Sequence, residues 1–234
     1  MIELKLLRSF PRRIIAVDEV GRSPLSGPVV IGAVELEILE KNSLEGLLRS
    51  LRRVGVKDSK LLAPQRRREL LEKLGVGERE FRRPDSFLWK GVKLSYVTWE
   101  MGPAVIDAEN IFESTRRGMK EAALRLFSGA GEGTTLLIDG NARLRWDGEA
   151  PWEEITIVRG DVKSPLIGLA SIIAKEKRDA FMKEMHEKYP VYGFDKNFGY
   201  PTAFHRRAIE EHGPCAIHRK SFGKVREFIL TGGL

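Results

Sequence analysis

Two apolar runs that end on acids constrain this chain more than anything else in it. IIAVDEVGRSPLSGPVV spans residues 14–30, and LLIDGN spans 136–141. In each, aliphatic residues lead to carboxylates and the run then breaks at glycine, which reads as a buried strand halted at a turn. Asp18, Glu19 and Asp139 therefore belong at strand ends, where a rigid sheet can hold them over a cleft. A carboxylate beside a buried strand costs free energy unless it is paired or bound to a cation. Converging carboxylates of this kind point to a hard divalent metal, Mg²⁺ or Mn²⁺, and so to metal-assisted phosphoryl chemistry.

Adjacent residues of a regular strand face opposite sides. Asp18 and Glu19 can therefore share one metal only if the strand bends there, and Gly21 and Pro24 supply a reason for a bend. A fourth acid, Asp161 in VRGDVKSP, precedes a strongly signalled helix start, with Ser164 as N-cap and Pro165 at the first helical position. The preceding strand can carry Asp161 to the same sheet edge, and the nearby helix N-terminus favours its ionised form.

Strands are predicted at 14–19, 28–38, 134–138 and 154–159, and the alternation in GVKLSYVTW suggests another. Helices are predicted over 43–53 (Ser43 as N-cap), from Pro64, and over 107–127, 165–189 and 202–212, with a short basic segment at the C-terminus. YPVYGFDKNFGYPT, rich in Gly, Pro and aromatics, reads as an ordered loop. The succession suggests an α/β fold, a mixed β-sheet flanked by helices with a mainly helical C-terminal extension. Residues 1–189 would form the main domain, with 190–234 packed on it.

At 234 residues, 42% hydrophobic and 31% charged, the chain can build a real core. Its net charge of +7 favours an anionic partner. Basic residues such as Arg67, Arg178, Arg219, Lys220 and Lys224 are spread through the chain, so a folded basic face is expected. Nucleic acid is favoured over membrane, because no basic amphipathic helix with bulky aromatics stands out. Cys215 is the only cysteine and the four histidines show no HExxH spacing, which excludes an intrachain disulfide and the familiar zinc frameworks. With no long apolar span and no signal-like N-terminus, a cytoplasmic location is expected.

Taken in order, VDEVGR (17–22), GPVV (27–30), DSKLL (58–62), IDGN (138–141), GD (160–161), ASIIAKEKRD (170–179), GYPTAFH (199–205) and HRKSF (218–222) resemble the ribonuclease HII family of the ribonuclease H-like superfamily. Without a substrate-binding domain before the first motif, the sister family ribonuclease HIII fits less well. The resemblance implies a ribonuclease H-like fold and hydrolysis of the RNA strand of RNA–DNA hybrids. It also implies cleavage 5′ of single ribonucleotides in duplex DNA, leaving 3′-hydroxyl and 5′-phosphate. Asp18, Glu19, Asp139 and Asp161 match its metal-binding carboxylates. Gly21, Arg22 and Ser23 fall where the family reads the ribose 2′-hydroxyl through main-chain groups. Tyr200 matches a tyrosine that packs against the sugar, and Lys60 a phosphate-proximal contact. The chemistry agrees: paired metal ions can drive phosphodiester hydrolysis without an acid–base side chain, and the 2′-hydroxyl is what separates RNA from DNA.

Taken singly, each feature has a plainer reading. Asp18 and Glu19 could be a solvated strand end, Asp139 an Asp-Gly turn, Asp161 a helix cap, Tyr200 a packed loop aromatic and Lys60 a solvated charge. Asp58, Asp107, Asp147 and Asp179 read as surface, capping or structural acids, and His205 and His218 as packing residues. Two positions depart from the family pattern: Ser23 stands where glycine is usual, and Asn197-Phe198 where His-Lys is usual. The first bears on reading of the 2′-hydroxyl and the second removes a charge from the phosphate side. The competing functions are a nucleic-acid-binding protein that has lost catalysis and a nuclease acting on DNA alone. A monomer is expected. FILTGGL lacks the glutamine and paired aromatics of a clamp-binding motif, which leaves recruitment by a replication clamp unsupported.

Overall fold

The sequence of β1 (Arg13–Val20) dictates its position. Ile14 and Ala16 bury into one apolar cluster, Ile15 and Val17 into another, and all four are inaccessible to solvent. A strand apolar on both faces belongs inside a sheet covered on both sides, and β1 lies there. The computed structural model describes residues 3, 13–40, 43–53, 55–56, 62–76, 85–89, 91–127 and 133–232. The other strands are β2 (Val29–Ile38), β3 (Asp85–Trp89), β4 (Val92–Met101), β5 (Thr134–Asp139) and β6 (Glu153–Ile157). They form one sheet in the order β3-β4-β2-β1-β5-β6. β1 runs antiparallel to β2 and parallel to β5, β5 is parallel to β6, and β4 is antiparallel to β2 and β3. The expected mixed sheet is present.

One face of the sheet is covered by α1 (Ser43–Arg53), α2 (Pro64–Lys73) and α6 (Pro165–Lys188). Leu44, Leu47, Leu48 and Leu51 of α1 are fully buried there, each worth about 1.5–3 kcal/mol of burial. α6 starts as its sequence demands: Ser164 Oγ accepts from the Ile167 N–H at 3.2 Å and Pro165 opens the first turn. It lies so close on β2 that a Cβ at Gly32 would stand 2.0 Å from the Ala170 carbonyl oxygen. The other face packs against α3 (Pro103–Glu109) and α4 (Ile111–Leu126).

A third apolar cluster joins Leu25 and Met182 to the C-terminal part, through Tyr192, Phe194, Ala208, Ile209 and Val225. That part contains a 3₁₀ turn (Pro190–Tyr192), a single turn α7 (Phe194–Asn197), α8 (Ala203–His212) and α9 (Gly223–Leu230). Among the described residues no helix is long and apolar enough to cross a membrane.

Several local expectations need correction. The single helix over 107–127 is two, because Asn110 takes φ 71° and its side chain accepts from the Phe112 and Glu113 N–H groups, capping a new helix. With ψ 162° that backbone is one used almost only by glycine, and the side-chain cap holds Asn110 in it. The basic C-terminal segment is mostly the helix α9. Ser43 is the first residue of α1 rather than its cap, its hydroxyl donating to Glu40 at 3.4 Å. The expected basic face loses three members: Arg67, Arg178 and Arg219 are buried. Arg67 ties α2 to α6 through Glu176 and Asp179, which confirms Asp179 as a structural acid.

Candidate active site

Parallel pairing brings the acids together. β1 and β5 are in register up to Val17–Ile138, so their next residues, Asp18 and Asp139, emerge side by side at one sheet edge. One oxygen from each of Asp18, Glu19 and Asp139 lies within 4.8 Å of the others. β1 stays in register with β2 through Val20–Val30 while its pairing with β5 has already ended. The last residues of β1 therefore have one open side. Asp18 Oδ1 accepts from the Glu19 N–H at 2.8 Å, and the acids converge where β1 and β5 end.

Asp139 is held from the other direction. Arg159 adopts a left-handed backbone (φ 57°, ψ 47°) just before the one-turn helix α5 (Gly160–Lys163). The Gly160 N–H donates to Asp139 Oδ1 at 2.6 Å. Asp161 is the next residue in that turn and is buried, but it does not belong to the three-carboxylate group.

The site is electrostatically unfinished. Asp18 is 2% exposed and its Oδ2 is buried with no hydrogen-bond partner among the described residues. Burial first, then the charges of Glu19 and Asp139, push its carboxyl well above the usual range, outweighing the nearby Ser171 hydroxyl and the Glu19 amide. Burial also raises Glu19, although Arg22, with Nη1 3.3 Å from Glu19 Oε1, pulls the other way. Three acids that repel one another, with an orphaned oxygen among them, fit an all-oxygen cradle for a hard divalent cation.

Beside the acids, Gly21 (φ 97°) begins the turn of Arg22 and Ser23, both exposed. Gly21 is irreplaceable on two counts, its backbone and the space beneath it, where a Cβ would stand 2.2 Å from Arg178 Nε. Ser23 does not take a positive φ, so the usual glycine's freedom is not required there. Tyr200 is 40% exposed on a turn fixed by Asn197, which is buried, donates to the Tyr192 carbonyl at 2.6 Å and accepts from the Gly199 N–H at 2.8 Å. The departure at Asn197 thus has an internal, loop-building role. The Phe198 ring lies under Lys175 Nζ, 4.9 Å from its centroid. Lys60 lies outside the described residues. Asp107 accepts from the Lys220 and Ser221 N–H groups at 2.9 Å each, a structural use as expected.

Sequence reading missed the inward roles of Arg178 and Arg219. Their only signal was position inside ASIIAKEKRD and HRKSF, and nothing in charge or hydropathy distinguishes them from surface arginines. His205 and His218 do pack locally, with Nε2 atoms 3.0 Å apart, and His205 Nδ1 lies 2.9 Å from the Tyr200 carbonyl.

Known proteins resemble this chain in sequence and in fold. The sequence model of the ribonuclease HII family matches residues 15–225. Ribonuclease HII of Chlamydia muridarum is 41% identical over 220 residues, covering 94% of this chain and 86% of the relative. Ribonuclease H2 from Pyrococcus horikoshii OT3 shares the fold, with a TM-score of 0.66 at 23% identity over 94% of this chain and 98% of that one. Ribonuclease HII in its PCNA complex from Archaeoglobus fulgidus shares it too, with a TM-score of 0.62 at 22% identity over 91% and 96%.

Proposed function

The chain belongs to the ribonuclease HII family, and from that premise we propose how it performs the family's metal-dependent cleavage of RNA in hybrid and ribonucleotide-containing duplexes. It hydrolyses the RNA strand of RNA–DNA hybrids and cuts 5′ of a single ribonucleotide embedded in DNA, leaving 3′-hydroxyl and 5′-phosphate. The observation that carries this reading is the convergence of Asp18, Glu19 and Asp139 within 4.8 Å at one sheet edge.

Asp18, Glu19 and Asp139, joined by Asp161, would hold Mg²⁺ or Mn²⁺. When bound, such ions neutralise charge on the attacking and leaving oxygens of the phosphodiester. The protein's part is to fix the acids before substrate arrives: the Glu19 amide orients Asp18, the Gly160 amide orients Asp139, and Arg22 restrains Glu19. The main chain of Gly21, Arg22 and Ser23 approaches the ribose, where a 2′-hydroxyl offers both a donor and an acceptor. Tyr200 packs against the sugar at the junction, and Lys60 approaches the phosphates. Residues 190–234 act as a substrate-binding part on the main domain of residues 1–189. The partner is nucleic acid, engaged by a monomer in the cytoplasm.

A labelled DNA duplex with one ribonucleotide tests the reading, with Mg²⁺, Mn²⁺ and chelator in parallel and the product ends mapped. The expected result is a metal-dependent cut 5′ of the ribonucleotide and none in the all-DNA control. Cleavage of both duplexes would favour a DNA nuclease, and binding without cleavage a protein that has lost catalysis.

A further inference from the structure

Arg178 of α6 and Arg219, which follows α8, are both 0% exposed, and their hydrogen bonds go to main-chain carbonyls. Arg178 donates from Nε to Pro28 O (3.1 Å), from Nη1 to Phe198 O (2.9 Å) and from Nη2 to Ser26 O (3.0 Å). Arg219 donates from Nε to Gly27 O (2.9 Å), from Nη1 to Arg22 O (2.9 Å) and from Nη2 to Gly21 O (2.6 Å). Burial pulls the first down to about 10 and the second to about 9, so both are cations at neutral pH. Burying a guanidinium is expensive, and it is a strong means of fixing a backbone because its donors form a rigid planar fork.

The consequence follows from peptide geometry. In a planar trans peptide the C=O and the following N–H point in opposite directions. Arg219 draws the carbonyls of Gly21 and Arg22 inward, so the N–H groups of Arg22 and Ser23 are aimed away from it, on the side where both residues are exposed. Arg178 meanwhile ties the same loop to Phe198, two residues before Tyr200. The Leu25 N–H to Gly199 O bond (2.8 Å) and the Arg219 N–H to Leu25 O bond (2.8 Å) close the assembly.

We infer that Arg178 and Arg219 are positioning residues for ribonucleotide selectivity: they aim the main-chain donors of Arg22 and Ser23 and set Tyr200 in register with them. This rests on the reading that residues 21–23 engage the 2′-hydroxyl. Neither guanidinium touches substrate. Each acts through the backbone it holds, and the serine at position 23 is accommodated because main-chain donors do the reading.

The test is duplex affinity in chelator, where nothing is cut, measured by fluorescence anisotropy well below each protein's melting temperature. The probes are an all-DNA duplex and the same duplex with one ribonucleotide. The unsubstituted protein should prefer the ribonucleotide duplex by about tenfold, the value of one hydrogen-bonded hydroxyl. Arg178→Lys and Arg219→Lys, which keep the charge and lose the fork, should bring that ratio to within about twofold of unity while all-DNA affinity changes by less than about twofold. Guanidinium added to Arg219→Ala should restore the preference. A merely structural role would lower both affinities together.

A wild-type ratio of one would overturn the reading of residues 21–23 and the inference with it. A clear wild-type preference that survives in both lysine variants would overturn the inference alone. Should the variants not fold, hydrogen exchange on the unsubstituted protein decides. The Leu25, Gly27 and Arg219 amides should exchange as slowly as those of α6, and fast exchange would contradict a rigid clamp.

Discussion

The acidic edge and the loop that follows it are neighbours in sequence and opposites in construction. At Asp18, Glu19 and Asp139, like charges crowd together and one buried oxygen lacks a partner among the described residues. Over residues 21–28, two buried cations meet six carbonyl oxygens, counting that of Phe198, in one saturated network. The first region is left unsatisfied by the protein and gains its missing charge from outside. The second is complete within the protein. On the proposed reading, chemistry is placed where the fold is electrostatically incomplete, and selectivity where it is most firmly held.

The largest expected effect breaks the acidic side. Asp18→Asn or Asp139→Asn should reduce metal-dependent cleavage by more than roughly 100-fold, while the melting temperature of the metal-free protein holds or rises because a repulsion has been removed. A drop in metal-free stability comparable to that of a core truncation would show that the acids were holding the fold together.

The arginine side should respond the other way. Arg178→Met leaves three carbonyls, two buried and one half-buried, without their donor. At roughly 1–3 kcal/mol for each unsatisfied group, the loss should exceed about 3 kcal/mol in urea unfolding. An unchanged midpoint would mean that the loop is held by its own backbone bonds.

A smaller effect reports on the C-terminal support of Tyr200. Burial, and then the neighbouring His205, hold His218 down to about 4, against an ordinary value of 6.5. The unfolded chain takes up that proton first, so this contribution to stability is complete above about pH 6.5 and declines as the pH falls from there towards 4. By linkage the loss is about 2 kcal/mol at pH 5. Unfolding of His218→Gln followed from pH 7.5 to 5 should show a shallower decline than the unsubstituted protein, and parallel curves would remove His218 as the cause.

The smallest effect sharpens the boundary between the two regions. Arg22 is half-exposed and its contact with Glu19 spans both. Arg22→Ala should change stability by no more than about 0.5 kcal/mol and should tighten Mn²⁺ binding slightly, since a competing cation has gone. Weaker binding would instead make Arg22 part of the metal cradle's support.

What could be read from the sequence divides along the same line. Asp18, Glu19 and Asp139 were legible because a strand that ends on an acid and then a glycine has a local signature, and parallel pairing needed only to bring two such ends together. The α6 start was legible for a similar reason, since Ser164 and Pro165 act on adjacent backbone. The loop's support was not, because Arg178 and Arg219 meet their carbonyl partners across long stretches of chain, and an inward arginine has the composition of an outward one. Asn110 broke a continuous helical periodicity through one backbone dihedral and its own side-chain cap, neither of which a hydrophobic pattern records. The internal role of Asn197 was not legible because its hydrogen bonds to Tyr192 and Gly199 exist only in the folded loop.

Calorimetric titration of Mn²⁺ into the unsubstituted protein and into Asp139→Asn, without nucleic acid, tests the central claim most directly. Saturable binding in the first and at least a roughly tenfold loss of affinity in the second is the predicted result. Equal binding in both would place the metal elsewhere and contradict the assignment of this sheet edge as the metal centre.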